Sequence, residues 1–154
     1  MTSELPYRPC VGIMLLNQDN KVFVAKRIDT LVEAWQMPQG GVDEGEDPAS
    51  TAFREMEEEI GTRNAEIVDE YDGWLTYDLP DHLIGKVWKG KYRGQKMKWF
   101  VLRYKGADGD INIETTHPEF SEWCWLDMEK LPETIVAFKK PLYQKLVDRF
   151  GKWA

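Results

Sequence analysis

The stretch GGVDEGEDPASTAFREMEEEIGT, from Gly40 to Thr62, decides how the whole chain is interpreted, because it joins a clear helix pattern to many glutamates. Asp47 is a favourable N-cap, Pro48 suits the first helical position, and Gly61 is a favourable stop. The sequence therefore predicts one helix between Asp47 and Gly61.

This helix is predicted to have an apolar stripe and an acidic face. Glu55, Glu58 and Glu59 lie about a third of a turn away from the apolar residues. Like charges at this spacing destabilise an isolated helix by a few tenths of a kcal/mol per pair, so the face is either solvated or covered by something positive. The predicted buried stripe consists of Ala49, Ala52, Phe53, Met56 and Ile60.

Three carboxylates at positions i, i+3 and i+4 form a dense patch of hard oxygen ligands, which suits Mg²⁺ or Mn²⁺ better than a soft metal. Arg54 can reach Glu58 at i+4 and hold it in one rotamer. The Gly40–Gly41 pair predicts a turn with close backbone approach, so that the Gly40 carbonyl could be a further ligand. Glu46, just before the helix, could complete the group.

The same stretch resembles the signature of the Nudix hydrolases, which cleave nucleoside diphosphates linked to another group. Thr62 departs from the aliphatic residue usual at the last position, although its methyl group can pack there. An acidic face would repel such substrates, and divalent cations would bridge it to the phosphates, polarise the P–O bond and acidify a bound water. The signature is G-x5-E-x7-R-E-U-x-E-E-x-G-U, where U is a bulky apolar residue, and it is matched by Gly40, Glu46, Arg54, Glu55, Met56, Glu58, Glu59 and Gly61.

Resemblance extends over nearly the whole chain, in five separated blocks that read YRPCVGI, WQMPQGG, GQKMKWF, PEFSEWCW and FKKPLYQ. These blocks resemble the bacterial RNA pyrophosphohydrolases, also described as dinucleoside polyphosphate hydrolases. The resemblance implies an α+β Nudix fold, an α/β/α sandwich around a mixed β-sheet. A single Nudix domain over residues 1–154 is expected.

The resemblance also assigns site residues. Glu55, Glu58 and Glu59 would bind the metals, with the Gly40 carbonyl assisting. Glu119 would be a distant acid that joins the metal cluster or helps to activate water. Arg54 belongs to the same catalytic group, and Phe138 matches an aromatic that can stack on a base. The remaining positions that match contacts to phosphates or the first nucleotides are Arg8, Arg27, Gln39, Tyr77, Gln95, Lys98 and Lys139.

The implied activity is Mg²⁺- or Mn²⁺-dependent hydrolysis with more than one ion. The substrates would be triphosphorylated or diphosphorylated RNA 5′ ends, whose cleavage initiates mRNA decay, or dinucleoside polyphosphates such as diadenosine tetraphosphate. The alternative is a non-catalytic nucleotide- or RNA-binding module on the same fold, which would be expected to lack glutamates that are present here. A structural calcium-binding helix is disfavoured because the 12-residue ligand loop of an EF-hand is missing.

Composition adds limits on partners and setting. The net charge of −7 argues against bulk nucleic-acid binding, and so against double-stranded DNA, yet KVWKGKYRGQKMK between Lys86 and Lys98 has six Lys/Arg and no acid. Apolar runs such as Val11 to Leu16 are too short to span a membrane, and MTSELPYRP does not resemble a signal peptide. Cys10 and Cys124 form no metal or disulfide pattern, so a reducing cytoplasm is expected.

A coarse pass along the chain predicts strands mixed with helices. CVGIMLL and KVFVAKR form a predicted hairpin around NQDN, and WQMPQGGV a short strand entering the Gly-Gly turn. A closing helix is expected from about Pro141 to Phe150. Because there is no regular βαβ alternation, a mixed sheet is favoured over a doubly wound parallel one. Further strands are predicted at AEIVDEY, GWLTYDL, KMKWFVLRY, DINIE and EWCWLD.

Overall fold

A computed structural model describes residues 5–28, 34–116 and 118–154 of the chain. Within these ranges seven strands form one sheet, and three α-helices accompany them. The strands are β1 (Tyr7–Leu16), β2 (Val22–Arg27), β3 (Gln39–Gly41), β4 (Ala65–Glu70), β5 (Leu75–Asp78), β6 (Gly94–Tyr104) and β7 (Phe120–Leu126). The helices are α1 (Pro48–Ile60), α2 (Leu131–Thr134) and α3 (Lys140–Phe150).

The sheet is mixed, as the sequence predicts. Its main path runs β4-β6-β1-β2-β7, with β3 paired to β1 and β5 paired to β6. Strands β1 and β6 are parallel over their whole length, from Tyr7 opposite Gly94 to Leu16 opposite Arg103. The other pairings are antiparallel, including the predicted hairpin of β1 and β2.

Two apolar layers cover the sheet, one on each face. Met56 and Ile60 of α1 pack with Phe100 of β6 on one face, and Leu146 of α3 packs with Trp99 of β6 on the other. Successive residues of β6 point to opposite faces, so this one strand contributes to both layers. The α/β/α sandwich is therefore confirmed.

Helix α1 begins and ends where its capping residues predict. The Asp47 carboxylate accepts a hydrogen bond from the Ser50 N–H at 3.1 Å, and Gly61 adopts the left-handed conformation at φ 78°. Ala52, Met56 and Ile60 are fully buried, whereas Ala49 and Phe53 are half-buried. The helix therefore docks by the predicted stripe.

Two predictions about local structure are wrong. Gly40 and Gly41 form no turn, because they lie in β3 and pair with Val11 and Cys10 of β1. DINIE forms no strand among the described residues. It follows a 3₁₀ turn at Asp108–Asp110 and passes over the end of α1, where the Asn112 N–H bonds the Ile60 carbonyl at 2.8 Å.

Two further observations bear on the compositional predictions. Cys10 and Cys124 are both free thiols, with Cys10 buried and Cys124 half-buried. Across the described ranges, every helix is too short or too polar to cross a membrane.

Candidate active site

The acidic face of α1 is much less exposed than its charge suggests. Glu55 and Glu59 are buried, with 9% and 2% of their surface exposed, whereas Glu58 is exposed. Of the two alternatives that the sequence leaves open, a simply solvated face therefore does not describe Glu55 and Glu59. Neither carboxylate oxygen of Glu59 receives a hydrogen bond from any part of the chain that the structure describes. A buried, unpartnered carboxylate is costly, so this group needs a cation or a proton.

Burial and neighbouring charges both change the pKa values of these carboxylates. Burial raises the pKa of Glu55 to about 7, and the charge of Arg54 opposes this rise. Burial also raises the pKa of Glu59 well above its ordinary value, and the adjacent Glu119 carboxyl adds to the effect. Glu119 is exposed in the loop before β7, so the structure brings the predicted distant acid next to the helix.

Arg54 organises the carboxylates around it. Its Nη1 donates to Glu55 Oε1 at 3.0 Å and to Glu58 Oε2 at 3.1 Å, which confirms the predicted i+4 contact. Its Nη2 donates to the Gly41 carbonyl at 2.9 Å, which ties the helix to β3. Its Nε donates to Glu46 Oε2 at 2.7 Å, and this bond lowers the pKa of Glu46 to about 2. Glu46 is therefore a partner of Arg54 in this arrangement.

The acidic face has the chemistry of a hard-cation site. A cleft of about 420 Å³ lies beside it, and its lining includes Glu58, Glu59, Thr115 and Glu119. Among the described residues, no three His, Cys, Asp or Glu side chains already stand in a metal-binding arrangement, and Arg54 engages two of the carboxylates. The all-oxygen donor set and the unpartnered Glu59 nevertheless fit Mg²⁺ or Mn²⁺.

Gly40 leaves the space that Glu55 occupies. A Cβ atom at Gly40 would overlap the Glu55 carboxyl group. We expect Gly40→Ala to displace Glu55, lower kcat at least about tenfold, and destabilise the fold by about 1–3 kcal/mol. Gly109→Ala is the matched control, because a Cβ atom there meets nothing within 4 Å. Equal kcat values for the two variants would show that the position of Glu55 is unimportant.

A second cluster lies on the α3 face of the sheet and joins side chains of the four strands β1, β3, β5 and β6. The Tyr77 hydroxyl donates to Gln95 Oε1, and Gln39 Nε2 donates to the same oxygen at 3.3 Å. Gln95 Nε2 and Arg8 Nη1 both bond the sulfur of Cys10, at 3.1 and 3.3 Å. Sequence reasoning missed Cys10. Its alternation with Arg8 along β1 was the available signal, since it puts both residues on one face.

Cations and an aromatic ring complete this cluster, which we call the basic pocket: Arg8, Arg27, Gln39, Tyr77, Gln95, Phe138 and Lys139. Lys139 Nζ lies 5.4 Å from the centre of the Tyr77 ring, and the Phe138 and Tyr77 rings are 5.8 Å apart. Burial, and then the charge of Arg27, lower the pKa of Lys139 to about 8. Arg27 also opposes the raised pKa of Glu59, so its charge acts on both the basic pocket and the acidic face.

Lys98 lies apart from the basic pocket. Alternation along β6 puts Lys98 on the α1 face, whereas Gln95 is on the α3 face. Its ammonium group donates to the Tyr71 carbonyl and forms an ion pair with Glu70 at 3.2 Å. The structure thus brings seven of the eight predicted substrate-binding residues together, and a substrate contact by Lys98 stays a prediction.

Comparison of the sequence with known proteins finds one matching family and close relatives that share one name. The NUDIX domain family model matches residues 6–146. The RNA pyrophosphohydrolase of Rhodospirillum rubrum is 55% identical, covering 97% of this chain and 90% of that protein. That of Roseobacter denitrificans is 56% identical, covering 96% and 94%.

Solved structures resemble the fold at lower identity. The E. coli dihydroneopterin triphosphate pyrophosphohydrolase has a TM-score of 0.67 at 19% identity, covering 93% of this chain and 99% of that one. A C. elegans Ap4A hydrolase has a TM-score of 0.63 at 19% identity, covering 93% and 98%. At this level of identity the likeness supports the fold alone.

Proposed function

This chain belongs to the NUDIX domain family, and we propose that it is a divalent-cation-dependent hydrolase that removes pyrophosphate from the 5′ end of RNA. The observation that carries the proposal is the meeting of the acidic face and the basic pocket at β3, where Gln39 bonds Gln95 and the next residue, Gly40, lies against Glu55. A 5′ polyphosphate needs both, since its negative charge must be neutralised while a cation activates water. Relatives named RNA pyrophosphohydrolase, more than half identical over nearly the whole chain, support the RNA substrate.

In this proposal Glu55, Glu58, Glu59 and Glu119 bind the cations, and the Gly40 carbonyl assists. Bound there, divalent cations would polarise the phosphoanhydride and lower the pKa of a coordinated water. Arg54 orients Glu55 and Glu58 through its hydrogen bonds, so it is a positioning residue for the ligands. The expectation of more than one ion is part of the proposal.

The basic pocket would bind the phosphates and the first nucleotides. Arg8, Arg27 and Lys139 supply positive charge, while the amides of Gln39 and Gln95 supply adaptable hydrogen bonds. Phe138 is half-buried beside Tyr77, which leaves part of its ring available to a base. Dinucleoside polyphosphates share the nucleoside-polyphosphate unit and are the second candidate substrate. A bacterial cytoplasm is the setting that this function requires.

A non-catalytic binding module is disfavoured by the acidic face. Such a module would have no reason to retain Glu59, because a buried carboxylate without a donor costs stability. Glutamine or an apolar residue would be more stable at that position. Because the chain has a glutamate here despite this loss of stability, an enzyme is favoured over a binding module.

Charge on Lys139 should make substrate capture dependent on pH. With a pKa of about 8 in the free protein, Lys139 loses its charge as the pH rises through that value. We therefore expect KM for triphosphorylated RNA to increase above about pH 8, with a smaller change in kcat. Lys139→Gln should raise KM at neutral pH and abolish this part of the profile. A pH profile of KM that is the same in the variant and the wild type would contradict the assignment.

The proposal is tested by comparing RNA substrates whose 5′ ends are unpaired or paired. Stacking a terminal base on Phe138 while its phosphates reach the glutamates requires the first nucleotides to be unpaired. We expect rapid pyrophosphate release from RNA with a few unpaired 5′ nucleotides and slow release from a matched blunt duplex. Equal rates would contradict an end-stacking pocket and favour the small dinucleoside polyphosphates as the main substrates.

A further inference from the structure

We propose that the loop Lys86–Arg93 is a second RNA-binding surface, which binds single-stranded nucleotides downstream of the 5′ end held in the active site. This inference rests on the proposed function and extends it from the reacting end to the following part of the transcript. None of the residues of this loop belongs to the acidic face or to the basic pocket.

Unneutralised positive charge is the first feature of the loop. Lys86, Lys89 and Lys91 are all exposed, and none of them forms an ion pair with a residue in the described ranges. Lys98 and Lys105, in contrast, are paired with Glu70 and Glu66. On a chain with a net charge of −7, three such ammonium groups within six residues form a local site for an anionic partner.

Two aromatic side chains beside these cations indicate a surface for single-stranded nucleic acid. The half-buried Trp88 and Tyr92 rings contact each other edge to face, with centroids 6.1 Å apart. The Arg8 guanidinium lies over the Trp88 ring, 5.5 Å from its centre. Bases stack on such rings while nearby lysines follow the phosphates, and this combination is typical of surfaces that bind single strands.

The backbone of the loop is strained at two residues, and local hydrogen bonds hold it in this conformation. Trp88 and Lys89 both have positive φ, at 51° and 58°, which is unfavourable for residues with bulky side chains. Two short hydrogen-bonded turns stabilise it, from the Gly90 N–H to the Val87 carbonyl and from the Lys91 N–H to the Trp88 carbonyl. The result places Trp88 under Arg8 while Lys89 and Lys91 stay exposed.

The loop also adjoins the basic pocket directly. Its last residue, Arg93, donates its N–H to the Pro6 carbonyl at 3.0 Å, and the next residue, Gly94, pairs with Tyr7 at the start of β1. Arg8 bonds Cys10 inside the pocket and lies over Trp88 outside it. An RNA chain leaving the pocket past Arg8 therefore meets the loop next. This continuity favours RNA over an acidic protein, which would need no route from the pocket.

The test compares RNA length in the wild type and in the triple variant K86Q/K89Q/K91Q. Substrates are a triphosphorylated dinucleotide, a triphosphorylated unstructured RNA of about twelve nucleotides, which matches single-strand site sizes, and diadenosine tetraphosphate. For the wild type we expect kcat/KM to be about fivefold or more higher on the longer RNA than on the dinucleotide. The triple variant should lose this gain and its log–log salt dependence should be shallower by about two.

The control is K105Q/K130Q/K145Q, which removes the same charge from exposed lysines elsewhere and should keep the gain. Three outcomes would overturn the proposal. The wild type could have the same kcat/KM on both RNA lengths, the triple variant could keep the higher kcat/KM on the longer RNA, or the control variant could lose it. An equal loss on diadenosine tetraphosphate would also overturn it, because the loop would then be part of the pocket. A wild type that hydrolyses neither RNA but does hydrolyse diadenosine tetraphosphate refutes the proposed function itself.

Discussion

Glu59→Gln is expected to lower kcat by about a thousandfold or more at saturating Mg²⁺ while the chain stays folded. The change removes the charge of the most buried carboxylate on the acidic face, which lacks a hydrogen-bond donor in the described structure. Its shape is preserved, and the new amide can donate to the neighbouring Glu119. The measurement is single-turnover cleavage of triphosphorylated RNA, with circular dichroism as the check on folding.

The same substitution should stabilise the metal-free protein. Because the folded pKa of Glu59 is raised, the folded state keeps a proton that the unfolded state loses above the ordinary value of 4.5. Stability from this group therefore falls as pH rises through that window, and glutamine avoids the loss. In a chelator at neutral pH we expect Tm to be higher for Glu59→Gln than for the wild type, with the difference vanishing at acid pH.

Glu133→Gln is the control for both effects, because Glu133 is exposed and belongs neither to the signature nor to the lining of the cleft. It should change neither kcat nor Tm appreciably. An active Glu59→Gln enzyme would show that the metal site lies elsewhere. A Glu59→Gln protein less stable than wild type in chelator would show that the buried carboxylate has a stabilising partner.

Removal of divalent cations is the second large effect, and it should abolish turnover. Without cations the acidic face would repel the polyphosphate, and Glu59 would keep a proton in place of a cation. After chelation, added Mg²⁺ or Mn²⁺ should restore the rate. Cations that bind the folded state raise its stability by mass action, about 2.7 kcal/mol at a hundred times Kd. Thermal unfolding of the wild type should therefore shift upward with Mg²⁺, and that of Glu59→Gln much less.

Undiminished turnover after exhaustive chelation would contradict this account. The thermal shift serves as a readout that does not depend on activity. If the Tm of the wild type does not change with Mg²⁺ although turnover requires it, the cation binds only to the substrate and not to the free protein.

Much of the fold could be predicted from the sequence because its signals are local. Asp47 and Gly61 mark the ends of α1 through capping, and the apolar stripe around Met56 predicts the buried side. DINIE shows the limit of such signals. Its alternation buries Ile111, but the segment packs over the end of α1 and finds no strand to pair with among the described residues.

The site was predictable in its residues and less so in its environment. The signature identifies Glu55 and Glu59, but their burial, with Glu55 packed against Gly40 of β3, appears only when the helix docks on the sheet. For Cys10 the sequence could show only its alternation with Arg8, because its other hydrogen bond comes from Gln95, which only the sheet brings close. Lys98 shows the converse, because most of the basic run lies in the loop before β6, and alternation along β6 puts Lys98 on the face opposite Gln95.

The most direct measurement is analysis of the products formed from 5′-triphosphorylated RNA with an unpaired end, incubated with the wild type and Mg²⁺. We predict RNA with a 5′ monophosphate together with released pyrophosphate, and no product with Glu59→Gln. RNA that remains triphosphorylated under conditions where diadenosine tetraphosphate is cleaved would contradict the account.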